Sequence, residues 1–315
     1  MNESMKAIRI NQYGGPDVLA VEDAPRPVPA SDEILIRVIA TSINPIDCKI
    51  RAGRMTKSHP LALPATLGWD ASGIVDSVGA NVTRFKPGDA VFTYPAFGRF
   101  GTYAEFVAVN ESEVALKPKT ISFVEAAALP MTAQAAWMAV ITVGQVSAGQ
   151  RVLIHGASGG LGSVAVQLAK WRGAHVIGTA SGDNLKLLQT LGADEVIDYR
   201  TTPFESVVRD ADMVLDTVGG QTQEDSWAVL KPDGILVATA IPPSPDRAKA
   251  AGVRGTFIFT QPSGDVLAQI AEVVDSGKVR PIIGGEFALN DAFKAHELSE
   301  SGRARGKIVL YVGQP

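Results

Sequence analysis

The sequence predicts an α/β chain of two domains. One is a doubly wound parallel sheet over residues 126–283; the other is a β-rich domain made discontinuous by it, formed from 1–125 and 284–315. Three observations carry this. Val152-Leu-Ile-His-Gly-Ala-Ser-Gly-Gly-Leu-Gly162 runs an apolar strand into a glycine-rich turn, and Ser163–Lys170 follows with helical spacing. From about Val124, strand-like and helix-like segments alternate, as in a parallel sheet covered on both faces. The first ~125 residues instead show short β-branched runs separated by turn-forming prolines.

In the β-rich part, Ile34–Ala40, Ala71–Val78 and Tyr103–Val109 read as strands, with Pro25, Pro27, Pro29, Pro87-Gly88 and Pro95 as turns. The alternating part begins with a helix over Val124–Val143. Strand Arg151–His155, helix Gly162–Trp171, strand His175–Thr179, helix Asn184–Leu191 and strand Glu195–Ile197 come next. Strand Met213–Asp216, a helix over Glu224–Val229, strands Ile235–Ala238 and Thr256–Phe259, and helix Val266–Ser276 complete it. Lys307–Leu310 is a last strand, expected to return to the β-rich domain.

Composition excludes several classes. The 29 Lys and Arg against 33 Asp and Glu leave no basic surplus for nucleic acid or an anionic membrane. No apolar run approaches the ~18 residues of a membrane span, and the N-terminus lacks a signal peptide's apolar core. Cys48 is the only cysteine, so no intrachain disulfide forms and the cytoplasm is the expected compartment.

The glycine turn is the strongest site signal. Gly156, Gly159 and Gly162 lie three apart with Gly160 between, one residue-step longer than the usual dinucleotide turn. Such a turn lets backbone N–H groups and a helix N-terminus reach a pyrophosphate. The next strand ends Thr179-Ala-Ser181 without the carboxylate that would bind an NAD ribose, which favours NADPH. Ser181, Asn184 and Tyr199 are candidate partners of its 2′-phosphate, with Lys186 or Arg200 as the charge; the alternative is that Ser181 only caps the following helix. His59, His155, His175 and His296 show no ligand spacing with one another or with Cys48, so no metal is expected. Asn44-Pro-Ile-Asp47, with Lys49 beyond, places polar groups on a proline-fixed turn, which alone is more often an Asx turn than an active site.

Taken in order, several motifs make the sequence resemble the quinone oxidoreductase (zeta-crystallin-like) branch of the medium-chain dehydrogenase/reductase superfamily. They are Met5-Lys-Ala-Ile-Arg, Tyr13-Gly-Gly-Pro16, Asn44-Pro-Ile-Asp47, Gly68-Trp-Asp-Ala-Ser-Gly-Ile-Val75, Phe85-Lys-Pro-Gly-Asp-Ala-Val91, the glycine turn, Leu191–Tyr199, Asp216-Thr-Val-Gly-Gly220 and Gly302–Leu310. The resemblance implies a Rossmann NADPH-binding domain and a GroES-like catalytic domain, with the cofactor in the cleft between them. It places Asn44 beside the nicotinamide, Gly159, Gly160 and Leu161 at the pyrophosphate, Val218 and Ala240 along the cofactor's other edge, and Thr132, Gly156, Ser158, Gly162 and Lys307 among the cofactor-binding residues. Where zinc-dependent relatives have a catalytic Cys and Gly-His-Glu, this chain has Asn44 and Gly68-Trp69-Asp70.

The implied reaction is zinc-independent hydride transfer from NADPH to a quinone or an α,β-unsaturated carbonyl. Asn44, Lys49 or backbone N–H groups are the expected donors to the developing oxyanion, with Asp47 a further candidate catalytic residue, and Met55, Trp69, Tyr94 and Phe97 are the expected apolar pocket, with core packing as the alternative. Rival readings are a non-catalytic NADPH-binding protein and a carbonyl or alcohol dehydrogenase. The resemblance implies a homodimer, and Ile235–Ala238 and Thr256–Phe259, near one edge of the parallel sheet, are apolar strands of the kind that pair with another chain.

Overall fold

A computed structural model of the chain describes residues 3–57, 60–99 and 101–314. It forms two compact units: Met1–Met131 with Gln261–Asp275 and Pro281–Pro315, and Thr132–Thr260 with Ser276–Arg280.

The second unit is built on a six-stranded sheet. From one edge to the other its strands are Glu195–Asp198, His175–Ala180, Arg151–Ile154, Ala211–Asp216, Leu230–Ala238 and Arg254–Phe257, all parallel. Numbered along the chain this is 3-2-1-4-5-6, so the winding reverses between Arg151–Ile154 and Ala211–Asp216. Those two central strands are apolar without alternation (Val152, Leu153, Ile154, Met213, Val214, Leu215) because both faces are covered. Every strand expected from the sequence here is present. Leu230–Ala238 starts five residues earlier than its apolar run, and the edge strand is shifted to Arg254–Phe257.

The first unit holds a seven-stranded sheet ordered Ile283–Ala288, Lys307–Tyr311, Glu33–Ile43, Asp70–Val78, Ala90–Thr93 and Val114–Leu116, with Phe106–Asn110 also paired to Glu33–Ile43. A smaller antiparallel sheet joins Ala20–Pro25, Ser4–Ile10 and Ala65–Thr66. The C-terminal strand does return to this unit: it lies antiparallel to Glu33–Ile43, with Ile308 opposite Ile43. That register brings Lys307 to the end of the neighbouring strand, beside Asn44.

Two expectations are corrected. The single helix over Val124–Val143 is three pieces: Phe123–Ala127, Pro130–Trp137 and a π-helical turn Met138–Val143. Pro130 has no N–H to continue the first helix, and its fixed φ suits the start of a new one. The helix at the end of the alternating region, Gly264–Asp275, belongs to the first unit. Its N-terminal glycine lies against the Val114 carbonyl, Arg84 pairs with Asp265 at 3.1 Å, and Thr120 donates through both N–H and hydroxyl to Asp275, each at 2.9 Å. Amphipathic spacing shows that a helix buries one face but not against which sheet.

Candidate active site

Asn44 ends the strand Glu33–Ile43 and caps the helix Pro45–Arg51 with extended backbone angles, Pro45 following as the first helical residue. The Asp47 carboxylate accepts the Asn44 N–H at 2.7 Å, one half of a capping box. The Asn44 amide is committed at both ends. Its Nδ2 donates to Asp70 Oδ2 at 2.9 Å, and its Oδ1 accepts from Lys307 Nζ at 2.6 Å. The Lys307 ammonium uses all three of its N–H bonds, the other two going to Ile43 O at 2.9 Å and Asp70 Oδ2 at 3.1 Å. Asp70 Oδ2 also accepts from Ser42, and its Oδ1 accepts the Met131 N–H, each at 2.7 Å. Asp70 and Lys307 are 0% and 5% exposed, so this is a buried ion pair whose hydrogen-bonding capacity is filled by protein groups.

Lys49 does not join this cluster. Two residues beyond Asp47 on a helix is roughly 200° around the axis, so Asp47 points into the unit and Lys49 is exposed. The positive charge at Asn44 comes from Lys307 instead. Asp70 and Ser42 join the site beyond the expected residues; the Gly68-Trp69-Asp70 motif is the sequence signal for Asp70, and Ser42 carries none.

Burial pushes the Asp47 carboxyl up to about 7, with Asp70 adding to the rise and the Asn44 N–H and Lys307 opposing it. Trp69 and Tyr94 are buried in one apolar cluster, on which Met55 and Phe97 pack half-buried; the Trp69 and Phe97 ring centres are 4.9 Å apart. The four expected pocket residues are thus brought together, with the Trp and Tyr inside the core.

In the parallel sheet, the remaining expected residues follow the C-terminal ends of five strands. Gly156–Gly162 follows Arg151–Ile154, Ser181 follows His175–Ala180, and Tyr199 follows Glu195–Asp198. Val218 follows Ala211–Asp216, and Ala240 follows Leu230–Ala238. Because the strands are parallel, all lie at one edge, with the glycine turn at the point where the winding reverses. Gly156 has φ +64 with Thr217 against it, and Gly162 rests on the Gly156–Ala157 backbone. Helix Gly160–Trp171 starts at Gly159 with no side-chain cap, so Gly160, Leu161 and Gly162 present first-turn N–H groups without helical acceptors. Ser181 occupies a cap position but its hydroxyl does not cap. It accepts from Asn184 Nδ2 at 3.0 Å, and Asn184 Oδ1 is buried without a partner. Tyr199 and Val218 are exposed, Ser158 is half-buried, and Thr132 is buried in the helix that begins at Pro130.

His155, beneath the turn, is structural. Ser226 donates to Thr222 O, so it accepts from His155 Nε2 at 3.1 Å, and Nδ1 accepts from Thr179 at 3.0 Å. His59 lies outside the described residues; among those described, no three His, Cys, Asp or Glu side chains group to hold a metal, and no helix is long and apolar enough to cross a membrane. Burial holds His155 down at about 4, while burial and the Arg51 charge hold His296 at about 3. Below about pH 6.5 the unfolded chain therefore binds protons that these folded imidazoles refuse, and their contribution to stability is lost as pH falls from about 6.5 toward 4. Asp47 acts oppositely: its contribution is present below about 4 and lost as pH rises toward 7. We expect the melting temperature to fall less steeply between pH 6.5 and 4 for His155→Asn than for the wild type, checked by calorimetry at fixed ionic strength.

Comparison with known proteins agrees with this architecture. Residues 30–119 match the family model described as alcohol dehydrogenase GroES-like domain, and 191–310 the one described as zinc-binding dehydrogenase. The chain is similar to a Danio rerio protein named NAD(P)H oxidoreductase RTN4IP1, mitochondrial (36% identity, 98% of this chain and 91% of that one). It is also similar to an Arabidopsis thaliana NADPH-dependent alkenal/one oxidoreductase, chloroplastic (35%, 98% and 80%). Among solved structures, the Coxiella burnetii quinone oxidoreductase superposes with a TM-score of 0.90 at 35% identity, over 98% of this chain and all of that one. With its GroES-like unit, its 3-2-1-4-5-6 parallel sheet and these relatives, the chain belongs to the medium-chain dehydrogenase/reductase superfamily, beside the quinone and alkenal/one oxidoreductases, and is an oxidoreductase.

Proposed function

We propose that the chain is a zinc-independent, NADPH-dependent reductase of quinones or α,β-unsaturated carbonyls. The observation that carries this is the uncapped glycine-turn helix at the winding reversal, with Ser181, Tyr199, Val218 and Ala240 along the same sheet edge. These residues fit the cofactor: an open row of N–H donors suits a pyrophosphate, and the Ser181 hydroxyl, which caps nothing and accepts from Asn184 Nδ2, keeps its own O–H to donate where a 2′-phosphate would lie. Bound NADPH supplies the hydride.

The chain's own residues bind, orient and exclude water. Gly160, Leu161 and Gly162 N–H groups hold the pyrophosphate, and Ser181, Asn184 and Tyr199 the 2′-phosphate. Lys307 withdraws charge from Asn44 Oδ1, which strengthens the Asn44 Nδ2–H not used by Asp70 as a donor toward the substrate oxygen. Lys307 thus brings fixed positive charge to a site where zinc-dependent relatives use a metal. The apolar cluster of Met55, Trp69, Tyr94 and Phe97 favours flat, apolar substrates. Two copies pair through the free edge of Arg254–Phe257, beside which Phe257 and Phe259 are exposed; gel filtration at the monomer mass would contradict the dimer.

The test is NADPH oxidation with a panel of quinones, alkenals and enones; no turnover of either class sinks the reading. Ser181→Asp places a carboxylate beside the 2′-phosphate, so NADPH affinity is expected to fall about 100-fold, roughly 2.7 kcal/mol, with NADH nearly unaffected, measured by calorimetric titration.

A further inference from the structure

Three loops at the C-terminal edge of the parallel sheet are tied together by side chains that the proposed reaction does not use. They follow the neighbouring strands Arg151–Ile154, Ala211–Asp216 and Leu230–Ala238. Asp216, the last residue of its strand, is wholly buried. Its Oδ1 accepts the N–H groups of Val218 at 2.9 Å and Gly219 at 2.8 Å, so the turn closes on its own carboxylate. Its Oδ2 accepts from Gln223 Nε2 at 3.0 Å. Gln223, on the helix Gln221–Ser226, is 5% exposed, and the second N–H of its amide goes to Ile241 O at 2.9 Å. One amide therefore spans the loops that follow Ala211–Asp216 and Leu230–Ala238. These two loops also touch directly: Gly219 has φ +81, and a Cβ there would stand 2.9 Å from the Ile241 side chain. On the other side, the Thr217 hydroxyl donates at 2.8 Å to the carbonyl of His155, where the glycine turn begins.

Ser181 and Tyr199 follow strands on one side of the winding reversal, and Val218 and Ala240 follow strands on the other. A sheet of this order has two mononucleotide-binding halves that meet at the reversal. With the 2′-phosphate at Ser181, the nicotinamide half falls to Val218 and Ala240. We propose that Asp216, Gln223 and Thr217 are positioning residues for that half: they fix the Val218 and Ala240 loops to each other and to the glycine turn, and so hold the nicotinamide in one orientation. This rests on the NADPH reading above. Apolar packing would keep the loops close, but hydrogen bonds are directional, and a buried network of them specifies one arrangement. A turn that served only to connect strand and helix needs no more than the two N–H groups on Asp216 Oδ1. The amide shared between two loops is what such a connection leaves unexplained.

The test uses the full chain with Gln223→Met, which keeps the side chain's length and removes both N–H groups, and Thr217→Val, a milder change on the other link. NADPH binding is followed by its fluorescence. Calorimetric titration follows adenosine 2′,5′-bisphosphate, a fragment that carries the 2′-phosphate and lacks the nicotinamide. Gln223→Met is expected to weaken NADPH about tenfold, the worth of one buried hydrogen bond to a charged group, and to leave the fragment within about twofold of the wild type. With the nicotinamide misaligned, kcat is expected to fall about tenfold as well. Thr217→Val is expected to show the same split between the two ligands at about threefold. A change that merely loosens the sheet weakens both ligands together. Equal losses for the two ligands, or NADPH binding unchanged in both variants, overturn the positioning role alone. A wild type that binds neither ligand overturns the NADPH reading, and the positioning role with it.

Discussion

Lys307→Met is expected to destabilise the chain by about 3–5 kcal/mol, because it leaves Asp70 as an uncompensated buried charge. The loss is larger than that of a surface pair for a definite reason. Asp70 is wholly buried, and the Met side chain fills Lys307's volume but returns none of its three hydrogen bonds. Adding Asp70→Asn removes the stranded charge, so the double variant is expected to recover a substantial part of the loss in urea unfolding while reductase activity stays low, Asn44 having lost the ammonium that polarises it. If Lys307→Met costs under about 1 kcal/mol, water reaches the pair and the account of the site fails. If the double variant regains full activity, Lys307 serves stability alone.

Gly162→Val is expected to abolish measurable NADPH binding, a loss of more than about 100-fold in affinity, and to lower the melting temperature. A Cβ at residue 162 would overlap the Gly156 carbonyl oxygen and stand 2.7 Å from the Ala157 Cα. Those are backbone atoms and cannot rotate away as a side chain could. The helix must therefore lift from the strand end, which moves the N–H groups of Gly160 and Leu161 off the place where they converge. Fluorescence titration with NADPH and thermal melting together check this. Unchanged affinity in a folded Gly162→Val would show that the turn is only a close-packed connection.

The sequence and the structure agree most closely where the physics is local. Gly156 and Gly162 were readable because a positive φ and a close backbone approach exclude any other residue, and those demands are written into a few consecutive positions. The central strands were readable because burial on both faces makes them apolar throughout. Asn44 and Asp47 stood out as a proline-fixed turn, and the cap they form is a contact over three residues. Lys49 lies close to Asn44 along the chain but not in space, because the helix turns it to the face opposite Asp47.

Less legible were the groups joined across the sheet. Lys307 and Asn44 are 263 positions apart, and Arg51 and His296 are 245 apart. Neither pairing leaves a periodic trace. The same limit explains the helix Gly264–Asp275: its apolar face was visible, its partner sheet was not.

The two-part organisation, the glycine turn and the family are legible residue by residue, because they rest on backbone demands and on burial patterns repeated along each element. That the cation at Asn44 is Lys307, that Asp70 joins them and that Arg51 meets His296 follows from the closed fold alone. The antiparallel register of Lys307–Tyr311 on Glu33–Ile43 and the burial of those side chains create these contacts, and neither exists until the sheet has closed.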